Sequence, residues 1–271
     1  MRDHAYDKLP YRVPEMEHRY GGNVHVLADP LALTQLARLC AKTTFQPDIN
    51  QLVGLLYGHL VRAMVNAEFP RRATATPTRM IDVTPHGVFH GETIDPQVRA
   101  ITVNIARAGT LPSQITYDLL NGILDPRLVR QDHFVMARVL DEASKVVGAR
   151  ISGSKIGGDV DEAILIFPDP MGATGGSICT ALEAYREQVV GTPRKTLCAH
   201  LIVTPEYLRR VTTQHPGAII YALRLDRGLS PPEVFDTVPG TRWDEERGLD
   251  DKQYIVPGGG GFGELMNNAY V

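Results

Sequence analysis

The chain has little of several features that would identify a function by themselves. Its 271 residues hold three cysteines with no Cys-x-x-Cys or Cys/His spacing, which argues against a disulfide framework and a zinc site. The formal net charge of −3 comes without a basic run, so nucleic acid is not expected as a partner. No apolar run reaches transmembrane length and the polar start, residues 1–8, lacks a signal-peptide core. A cytoplasmic protein with no membrane partner is therefore expected.

A missing sequence pattern argues against nucleoside triphosphate hydrolysis. The pattern GxxxxGK[ST], which cradles nucleoside triphosphates, does not occur. What does occur is an apolar run at residues 163–167, then Asp169, then a small-residue turn that enters a helix near Ser177. Such a turn presents backbone N–H groups and the positive helix end to a ligand, which is typical of a phosphate cradle. Asp169 suits sugar hydroxyls or a bound cation. The segment predicts a sugar-phosphate site, and the alternative is a tight connection that binds nothing.

The second half of the chain has the pattern of a parallel sheet. Its apolar runs are continuous, which indicates strands covered on both faces, and helical spacings lie between them. The predicted strands are 101–106, 134–140, 163–167, 197–203 and 219–225, and the predicted helices are 111–123, 177–189 and 205–212. Ligands of such folds bind at the carboxyl ends of the strands. Arg107, Asp169 and the turn after Thr174 all follow strands directly, so we expect them to meet.

The remaining segments are assigned from composition and spacing. Residues 1–23 are predicted to be an extended arm, and residues 24–271 a single domain. Predicted helices at 31–41 and 49–66 precede a basic loop at 69–77 and a hairpin of residues 80–83 with 88–89. Residues 140–158 and about 227–253 read as insertions. The charged run 244–247 in the second insertion is interpreted as a solvated surface loop.

Three motifs, in this order along the chain, resemble those of a known family. They are Ile101-Thr-Val-Asn-Ile-Ala-Arg107-Ala-Gly109, Asp169-Pro-Met-Gly-Ala-Thr-Gly-Gly-Ser177 and Tyr254-Ile-Val-Pro-Gly-Gly-Gly-Gly-Phe-Gly-Glu264. The family is that of the uracil phosphoribosyltransferases, within the type I phosphoribosyltransferases, and the similarity covers roughly residues 24–263. The chain is identified as a divergent member. The resemblance implies an α/β fold in which helices flank a parallel sheet, with an N-terminal helical segment, a β-hairpin, a hood at 140–158 and a base-reading region.

The resemblance also implies an activity, a cofactor and a set of site residues. The activity is transfer of a 5-phosphoribosyl group from phosphoribosyl pyrophosphate (PRPP), with Mg²⁺, to a ring nitrogen of uracil or a related base. The implied PRPP contacts are Arg107, Ala108, Gly109, Arg138, Asp169, Pro170, Met171, Gly172, Ala173, Thr174, Gly175, Gly176 and Ser177. The implied base contacts, mainly through the backbone, are Ile255, Gly260, Gly261 and Phe262, and the Phe262 ring is a candidate to stack on the base. The family also forms homodimers or larger assemblies.

Two departures from the family pattern keep alternatives open. The family loop has Asp where this chain has Gly261, and a second Asp where it has Glu264. The first family Asp contacts PRPP and its metal. The chain could therefore be an impaired relative that binds PRPP or a nucleotide as a sensor or subunit, or an enzyme with a changed acceptor base. No catalytic residue is assigned, and no protein metal site, because His86 and His90 lack a third ligand.

Overall fold

The computed structural model describes residues 3–140 and 146–270, and a mainly parallel sheet forms its centre. The ten strands are β1 (Val24–Val26), β2 (Arg71–Pro77), β3 (Val88–Ile94), β4 (Ala100–Ala106), β5 (Val129–Leu140), β6 (Val146–Lys155), β7 (Ile164–Pro168), β8 (Met171–Gly172), β9 (Lys195–Val203) and β10 (Ala218–Leu225). The central sheet has the order β1-β10-β9-β7-β4-β5-β6, with β8 paired to β9. All its pairings are parallel except that of β5 with β6.

Helices cover both faces of this sheet. They are α1 (Pro30–Leu39), α2 (Asp48–Glu68), α3 (Thr110–Asn121), α4 (Gly176–Gln188), α5 (Pro205–Gln214), α6 (Pro232–Phe235) and α7 (Phe262–Leu265). Successive residues of β7 divide between two buried clusters: Ile164 and Ile166 pack with α1 and α2, while Leu165 and Phe167 pack with α4 and α5. This alternation is the period of two that a strand imposes. The α/β architecture predicted from the apolar runs is therefore confirmed. No helix in the described part of the chain has the length and apolar character that crossing a bilayer requires.

The hairpin was predicted in the wrong place. Residues 69–77, expected to be a loop, contain β2, which pairs antiparallel with β3 from Arg71 opposite Ile94 to Pro77 opposite Val88. The predicted strand 80–83 is not formed, because residues 79–82 are a short 3₁₀ helix at the tip. β2 is partly or fully exposed along its length. It therefore lacks the alternation of apolar and polar residues by which a half-buried strand is recognised.

The structure gives detail on the two predicted insertions, and it corrects the interpretation of the charged run in the second. Residues 146–155 of the hood are β6, which extends the sheet antiparallel to β5, while residues 141–145 lie outside the described residues. In the second insertion, the charged run is not wholly solvated. Glu246 is 1% exposed and accepts hydrogen bonds from Tyr20 Oη, from Arg227 Nη1 at 3.0 Å and from the Gly240 amide at 2.8 Å. These donors satisfy its buried carboxylate, which would otherwise be costly to desolvate.

The N-terminal arm lies against its own chain. The Ala28 amide donates to the Pro14 carbonyl at 2.7 Å, and the Arg19 amide donates to the Pro239 carbonyl at 2.7 Å. Tyr20 is 3% exposed, and its ring meets the Trp243 ring edge-on with centroids 5.0 Å apart. The arm and the second insertion therefore stabilise each other.

Candidate functional site

The turn after β4 lies against the end of β7. The Gly109 amide donates to the Ile105 carbonyl at 2.9 Å, which closes the turn. A Cβ at Gly109 would lie only 2.8 Å from the Ile105 carbonyl oxygen and 3.1 Å from that of Pro168. Only glycine permits this approach. The residue after Pro168 is Asp169, so the predicted pyrophosphate turn and the predicted ribose-binding acid are neighbours.

Arg107 is exposed at this turn and faces the C-terminal segment. Its peptide bond with Ala106 is cis. Its Nη1 donates to the Ala269 carbonyl oxygen at 2.9 Å, and no carboxylate among the described residues forms an ion pair with it. A Cβ at Gly263 would lie 3.7 Å from Arg107 Nε and 3.6 Å from Ala108 Cβ. The predicted base-reading loop therefore borders the Arg107 turn.

Asp169 is an unusual carboxyl group because it is largely buried. Burial raises its pKa to about 6, and a hydrogen bond from the Met171 amide to Oδ1, at 3.2 Å, partly opposes this rise. Its backbone is held from two sides. The Asp169 amide donates to the Ala199 carbonyl at 3.1 Å, and its carbonyl accepts from His200 Nδ1 at 2.6 Å. Such a perturbed acid at a strand end is a common property of functional sites.

His200 is a positioning residue that its sequence context did not reveal. It is fully buried, and burial lowers its pKa to about 4, so the ring is neutral near pH 7. Since a carbonyl oxygen can only accept, Nδ1 carries the proton toward Asp169. Nε2 is then left to accept from Tyr207 Oη at 2.5 Å. The His200 side chain thus connects the first turn of α5 to the backbone of Asp169.

Residues 170–172 build a frame for the turn that follows. The Pro170 carbonyl accepts from the amides of Leu201 and Ile202 at 3.0 and 3.1 Å, and Met171 and Gly172 form β8 beside β9. A Cβ at Gly172 would lie 2.9 Å from Val203 Cγ1. These predicted PRPP residues therefore hold the loop in place through the backbone.

The turn of residues 173–177, which we call the phosphate loop, has the geometry that the sequence predicted. Thr204 Oγ1 anchors it by donating to the Ala173 carbonyl at 2.6 Å. Gly175 has φ of +75°, a left-handed conformation that favours glycine, and α4 begins directly after it. The Gly176 amide donates to Thr174 Oγ1 at 3.3 Å. The amides of Thr174, Gly175 and Ser177 have no acceptor among the residues that the structure describes.

The loop of residues 254–264, which we call the glycine-rich loop, is fixed to the end of β10. Asp226, which follows this strand, is 2% exposed, pairs with Arg224 and accepts from the Gly258 amide at 2.8 Å. Arg224 Nη2 donates to the Gly258 carbonyl at 2.9 Å. The loop therefore joins the same edge of the sheet as the Arg107 turn and the phosphate loop.

Phe262 differs from one part of its prediction. Its side chain is 2% exposed and belongs to the core cluster that also contains Leu39 and Met266, so the ring anchors α7 and is not available to stack on a base. Burial of a large aromatic ring in the core contributes strongly to the stability of the fold. Gly260, which has φ of +87°, and Gly261 are only partly buried or exposed. Arg138 lies on β5 opposite Ala149, but its side chain lies outside the described residues.

The fold and the three converging loops define the class: this is a type I phosphoribosyltransferase fold, with its candidate site at the carboxyl ends of the parallel strands. The sequence profile described as uracil phosphoribosyltransferase matches residues 26–242. The chain therefore belongs to the uracil phosphoribosyltransferase family.

Similar proteins agree with this assignment. A uracil phosphoribosyltransferase of Rhodococcus jostii is 29% identical over 255 residues, which cover 90% of this chain and 98% of that protein. One from Pyrobaculum islandicum is 32% identical over 69% of this chain and 75% of its own length. The solved structure of the AQ2163 protein from Aquifex aeolicus superposes with a TM-score of 0.67 at 21% identity, covering 92% of this chain and 99% of that one. That structure supports the fold alone.

Proposed function

We propose that this chain transfers the 5-phosphoribosyl group of PRPP to a ring nitrogen of uracil or a closely related base and releases pyrophosphate. The observation that carries the proposal is the contact between the Arg107 turn and the end of β7, where Gly109 abuts Pro168. That contact brings the Arg107 guanidinium, the Asp169 carboxyl group and the phosphate loop to one edge of the sheet. A donor with a phosphate at one end and a pyrophosphate at the other fits this arrangement.

Each group has a role that follows from its chemistry. The free amides of the phosphate loop and the Thr174 and Ser177 hydroxyls would hold the 5-phosphate at the N-terminus of α4. Asp169, when ionised, would accept hydrogen bonds from the ribose hydroxyls. Arg107 would bind pyrophosphate through two guanidinium N–H groups. Ala108 and Gly109 would add backbone contacts, and Arg138 is proposed as a second pyrophosphate ligand.

The reaction that these groups would support is a substitution at C1 of the ribose. The bond from C1 to the pyrophosphate oxygen breaks, a bond from C1 to the ring nitrogen forms, and the ring N–H proton passes to solvent water or to the released pyrophosphate. Positive charge develops at C1 while negative charge develops on the leaving group. Arg107 would stabilise the negative charge that develops on the departing pyrophosphate. Stabilisation of developing charge is usually the largest single contribution to such a step.

The acceptor would be read by backbone groups of the glycine-rich loop. Ile255, Gly260, Gly261 and Phe262 are proposed to supply these N–H and carbonyl contacts. Ile255 forms an antiparallel bridge with Leu249, and the Val256 amide donates to the Gly248 carbonyl at 2.8 Å. The second insertion therefore holds the glycine-rich loop through backbone hydrogen bonds, and these bonds would help to preorganise an acceptor pocket.

Magnesium is proposed to enter with the donor. The residues 3–140 and 146–270 contain no group of three His, Cys, Asp or Glu side chains that could hold a metal ion alone. The Asp169 carboxylate together with phosphate oxygens of the donor is a hard-oxygen set, and Mg²⁺ commonly binds to one or two carboxylates plus substrate phosphates. When bound, the ion would neutralise part of the pyrophosphate charge.

We also propose a homodimer or larger homo-oligomer located in the cytoplasm. Two observations support these statements. The cysteines Cys40, Cys179 and Cys198 are free thiols, as expected in a reducing compartment. The tip of the β2–β3 hairpin exposes Met80 at 52% and Val83 at 75%, an apolar surface that a second copy of the chain would cover. Light scattering after size-exclusion chromatography would measure the assembly.

The test is an assay of pyrophosphate release. The chain is mixed with PRPP, Mg²⁺ and a panel of bases that includes uracil, and PRPP binding is followed separately by calorimetry. Release with uracil is expected. Release only with another heterocycle would indicate a changed acceptor.

The second candidate is an impaired relative that binds PRPP or a nucleotide as a sensor or subunit. Gly261, where the family has an acid, favours it, and so does the contact of Arg107 with the C-terminal segment. Tight PRPP binding without release for any base would reject the enzyme in favour of this candidate.

A further inference from the structure

Arg210 lies beside the phosphate loop although it belongs to a different helix. It is on α5, six residues after Thr204, and its side chain lies beside the first turn of α4. A Cβ at Gly175 would lie 3.4 Å from Arg210 Cδ. A Cβ at Gly176 would lie 3.5 Å from Arg210 Nη1 and 3.5 Å from Thr174 Oγ1. The guanidinium and the Thr174 hydroxyl therefore flank the same point of the loop.

The ion pairs of α5 distinguish Arg210 from its neighbour Arg209. No carboxylate among the described residues lies within ion-pairing distance of it, whereas its neighbour Arg209 pairs with Asp244 at 2.7 Å and lies over the Trp243 ring. The Cys179 thiol interacts with Arg210, and the Glu183 carboxylate acts on the same thiol. Burial raises the pKa of that thiol and the Arg210 guanidinium opposes the rise, but the thiol stays neutral near pH 7. Arg210 is thus an exposed cation that forms no ion pair with a carboxylate of the residues that the structure describes.

The position of Arg210 at the N-terminal end of α4 indicates what kind of ligand it would bind. The N-terminal end of a helix carries partial positive charge, so a cation is unfavourable there and an anion is favourable. Arg210 brings a full positive charge to that end of α4, beside amides that have no acceptor in the described part of the chain. The two features repel each other, and an anion at the loop would turn both into attractive contacts. A divalent phosphate ester has the charge and the acceptor oxygens to do this.

We propose that Arg210 is a ligand of the donor's 5-phosphate, supplied by α5 in addition to the phosphate loop itself. This inference rests on the proposed function, because it names a residue of the same donor site. The Nη1 atom of this exposed side chain lies beside the loop, 3.5 Å from the position of a Cβ at Gly176. It would bind the 5-phosphate and not the pyrophosphate, which Arg107 receives at the end of β4.

The experiment separates the two ends of the donor. Ribose 5-phosphate carries the 5-phosphate without pyrophosphate, and inorganic pyrophosphate is the converse probe. Calorimetry measures both ligands with the unmodified chain, with Arg210→Ala and with Arg209→Ala, which removes the same charge from the same helix. We expect Arg210→Ala to weaken ribose 5-phosphate binding about 10-fold or more, as for a charge-assisted hydrogen bond, and to leave pyrophosphate binding unchanged. Arg209→Ala should change neither by more than about twofold.

The outcomes distinguish this inference from the function on which it rests. Arg210→Ala and Arg209→Ala could weaken ribose 5-phosphate binding equally, or pyrophosphate binding could fall as much. Either result would show that Arg210 acts through the overall electrostatic potential, and the assignment would be overturned. Unchanged ribose 5-phosphate binding by a folded Arg210→Ala chain that still turns over PRPP overturns the assignment alone. If the unmodified chain binds neither PRPP nor ribose 5-phosphate, the proposed function fails and the inference fails with it. Arg210→Lys, which keeps the charge, should recover part of the affinity, and circular dichroism verifies the fold of each variant.

Discussion

The phosphate loop and the glycine-rich loop are similar in composition but use their glycines in opposite ways. Both lie at the same edge of the sheet, and each has a glycine directly before a helix, Gly175 before α4 and Gly261 before α7. The helix that follows has 13 residues in the first case and 4 in the second. A long helix contributes a dipole to ligand binding, whereas one turn contributes little. The same residue type therefore serves a ligand site in one loop and tight self-packing in the other.

The neighbours of the glycines show this difference directly. In the phosphate loop, a Cβ at Gly176 would meet nothing closer than 3.5 Å, and several amides lack an acceptor among the described residues. In the glycine-rich loop, a Cβ at Gly258 would lie 2.1 Å from the Ile255 carbonyl oxygen. A Cβ at Gly259 would lie 2.8 Å from Cys40 Sγ, and one at Gly261 would lie 2.3 Å from Glu264 Oε2. The glycine-rich loop is closely packed against other residues of the protein. This packing would preorganise its backbone groups for binding an acceptor.

The largest effect is expected at the turn that lies between the two loops. Arg107→Ala removes the guanidinium that we assign to pyrophosphate, and kcat/KM for PRPP should fall about 10²- to 10³-fold, the usual loss for a transition-state charge contact. Arg107→Lys should be intermediate, because an ammonium group cannot bind two phosphate oxygens in the same planar manner. The measurement is steady-state pyrophosphate release.

Arg127 provides the matched control for this prediction. It is exposed, pairs with Asp125 and precedes β5 at the opposite edge of the sheet. Arg127→Ala should leave kcat/KM within about twofold of the unmodified chain, as expected for a surface pair. Equal losses for the two alanine variants would show that Arg107 acts through overall charge and not through contact.

The two loops can be separated by one substitution in each. Gly175→Ala forces a side chain into the left-handed conformation, at a cost of about 1–2 kcal/mol, and should weaken ribose 5-phosphate binding about 10-fold. Gly259→Ala places a Cβ 2.8 Å from Cys40 Sγ and Phe262 Cε2, so the loop must shift. The KM of the acceptor base should then rise about 10-fold, as for an overpacking cost of about 1–3 kcal/mol. Calorimetry and initial-rate kinetics supply the two readouts.

Each variant is also measured with the ligand assigned to the other loop, which tests whether the two loops have separate roles. Gly175→Ala should leave the acceptor KM unchanged, and Gly259→Ala should leave ribose 5-phosphate binding unchanged. If either variant impairs both functions equally, the loops act as one unit and their separate assignment is wrong. Thermal unfolding of both variants shows whether a loss reflects the site or the whole fold.

A smaller effect is expected from the pH dependence of Asp169. Its pKa is raised to about 6 by burial, so its carboxylate becomes protonated as the pH falls through 6 and can no longer accept two hydroxyl hydrogen bonds. Ribose 5-phosphate affinity should fall by up to about 10-fold for each pH unit below 6. The ligand's phosphate also titrates near pH 6. The Asp169→Asn variant retains that ligand titration, and the difference between the two pH profiles therefore reports Asp169.

The same shift predicts a gain in stability on substitution. An acid whose folded pKa lies above its unfolded value of 3.8 destabilises the folded state increasingly as the pH rises from 3.8 to about 6. Asp169→Asn should therefore raise the free energy of unfolding at pH 7, by on the order of 1–3 kcal/mol, while it weakens donor binding. Denaturant titrations at pH 4 and pH 7 measure this gain, which should be small at the lower pH. An equal gain at both pH values would contradict the raised pKa of Asp169.

Much of the site was predictable because its signals are local. A continuous apolar run predicts a buried strand, and a small-residue turn after it predicts the phosphate loop, so β7, Asp169 and Gly175 follow from about fifteen consecutive residues. The family resemblance supplied the other two loops. The parallel order of strands then brings these turns to one edge, which requires no knowledge of individual contacts.

The features that escaped prediction depend on partners distant in the sequence. Glu246 reads as part of a solvated charged run, and only its contacts with Tyr20 and Arg227 explain its burial. His200 lies in an apolar strand, and its role appears only when Asp169 and Tyr207 are placed on either side of it. The exposed strand β2 shows no alternation because neither of its faces is buried. Local pattern carries no information on such tertiary contacts.

The smallest expected effect is at Gly261, where the structure changes the design of an obvious experiment. Gly261→Asp restores the acid that the family carries, but its Cβ would lie 2.3 Å from Glu264 Oε2 and the two carboxylates would repel each other. The single variant should therefore gain little. In a Glu264→Ala background the new side chain has room, and kcat/KM for PRPP should exceed that of Glu264→Ala alone by about 2- to 5-fold, equivalent to about 0.5–1 kcal/mol. A gain from Gly261→Asp alone as large as in the double variant would show that the Glu264 carboxylate does not occupy the position of the missing acid.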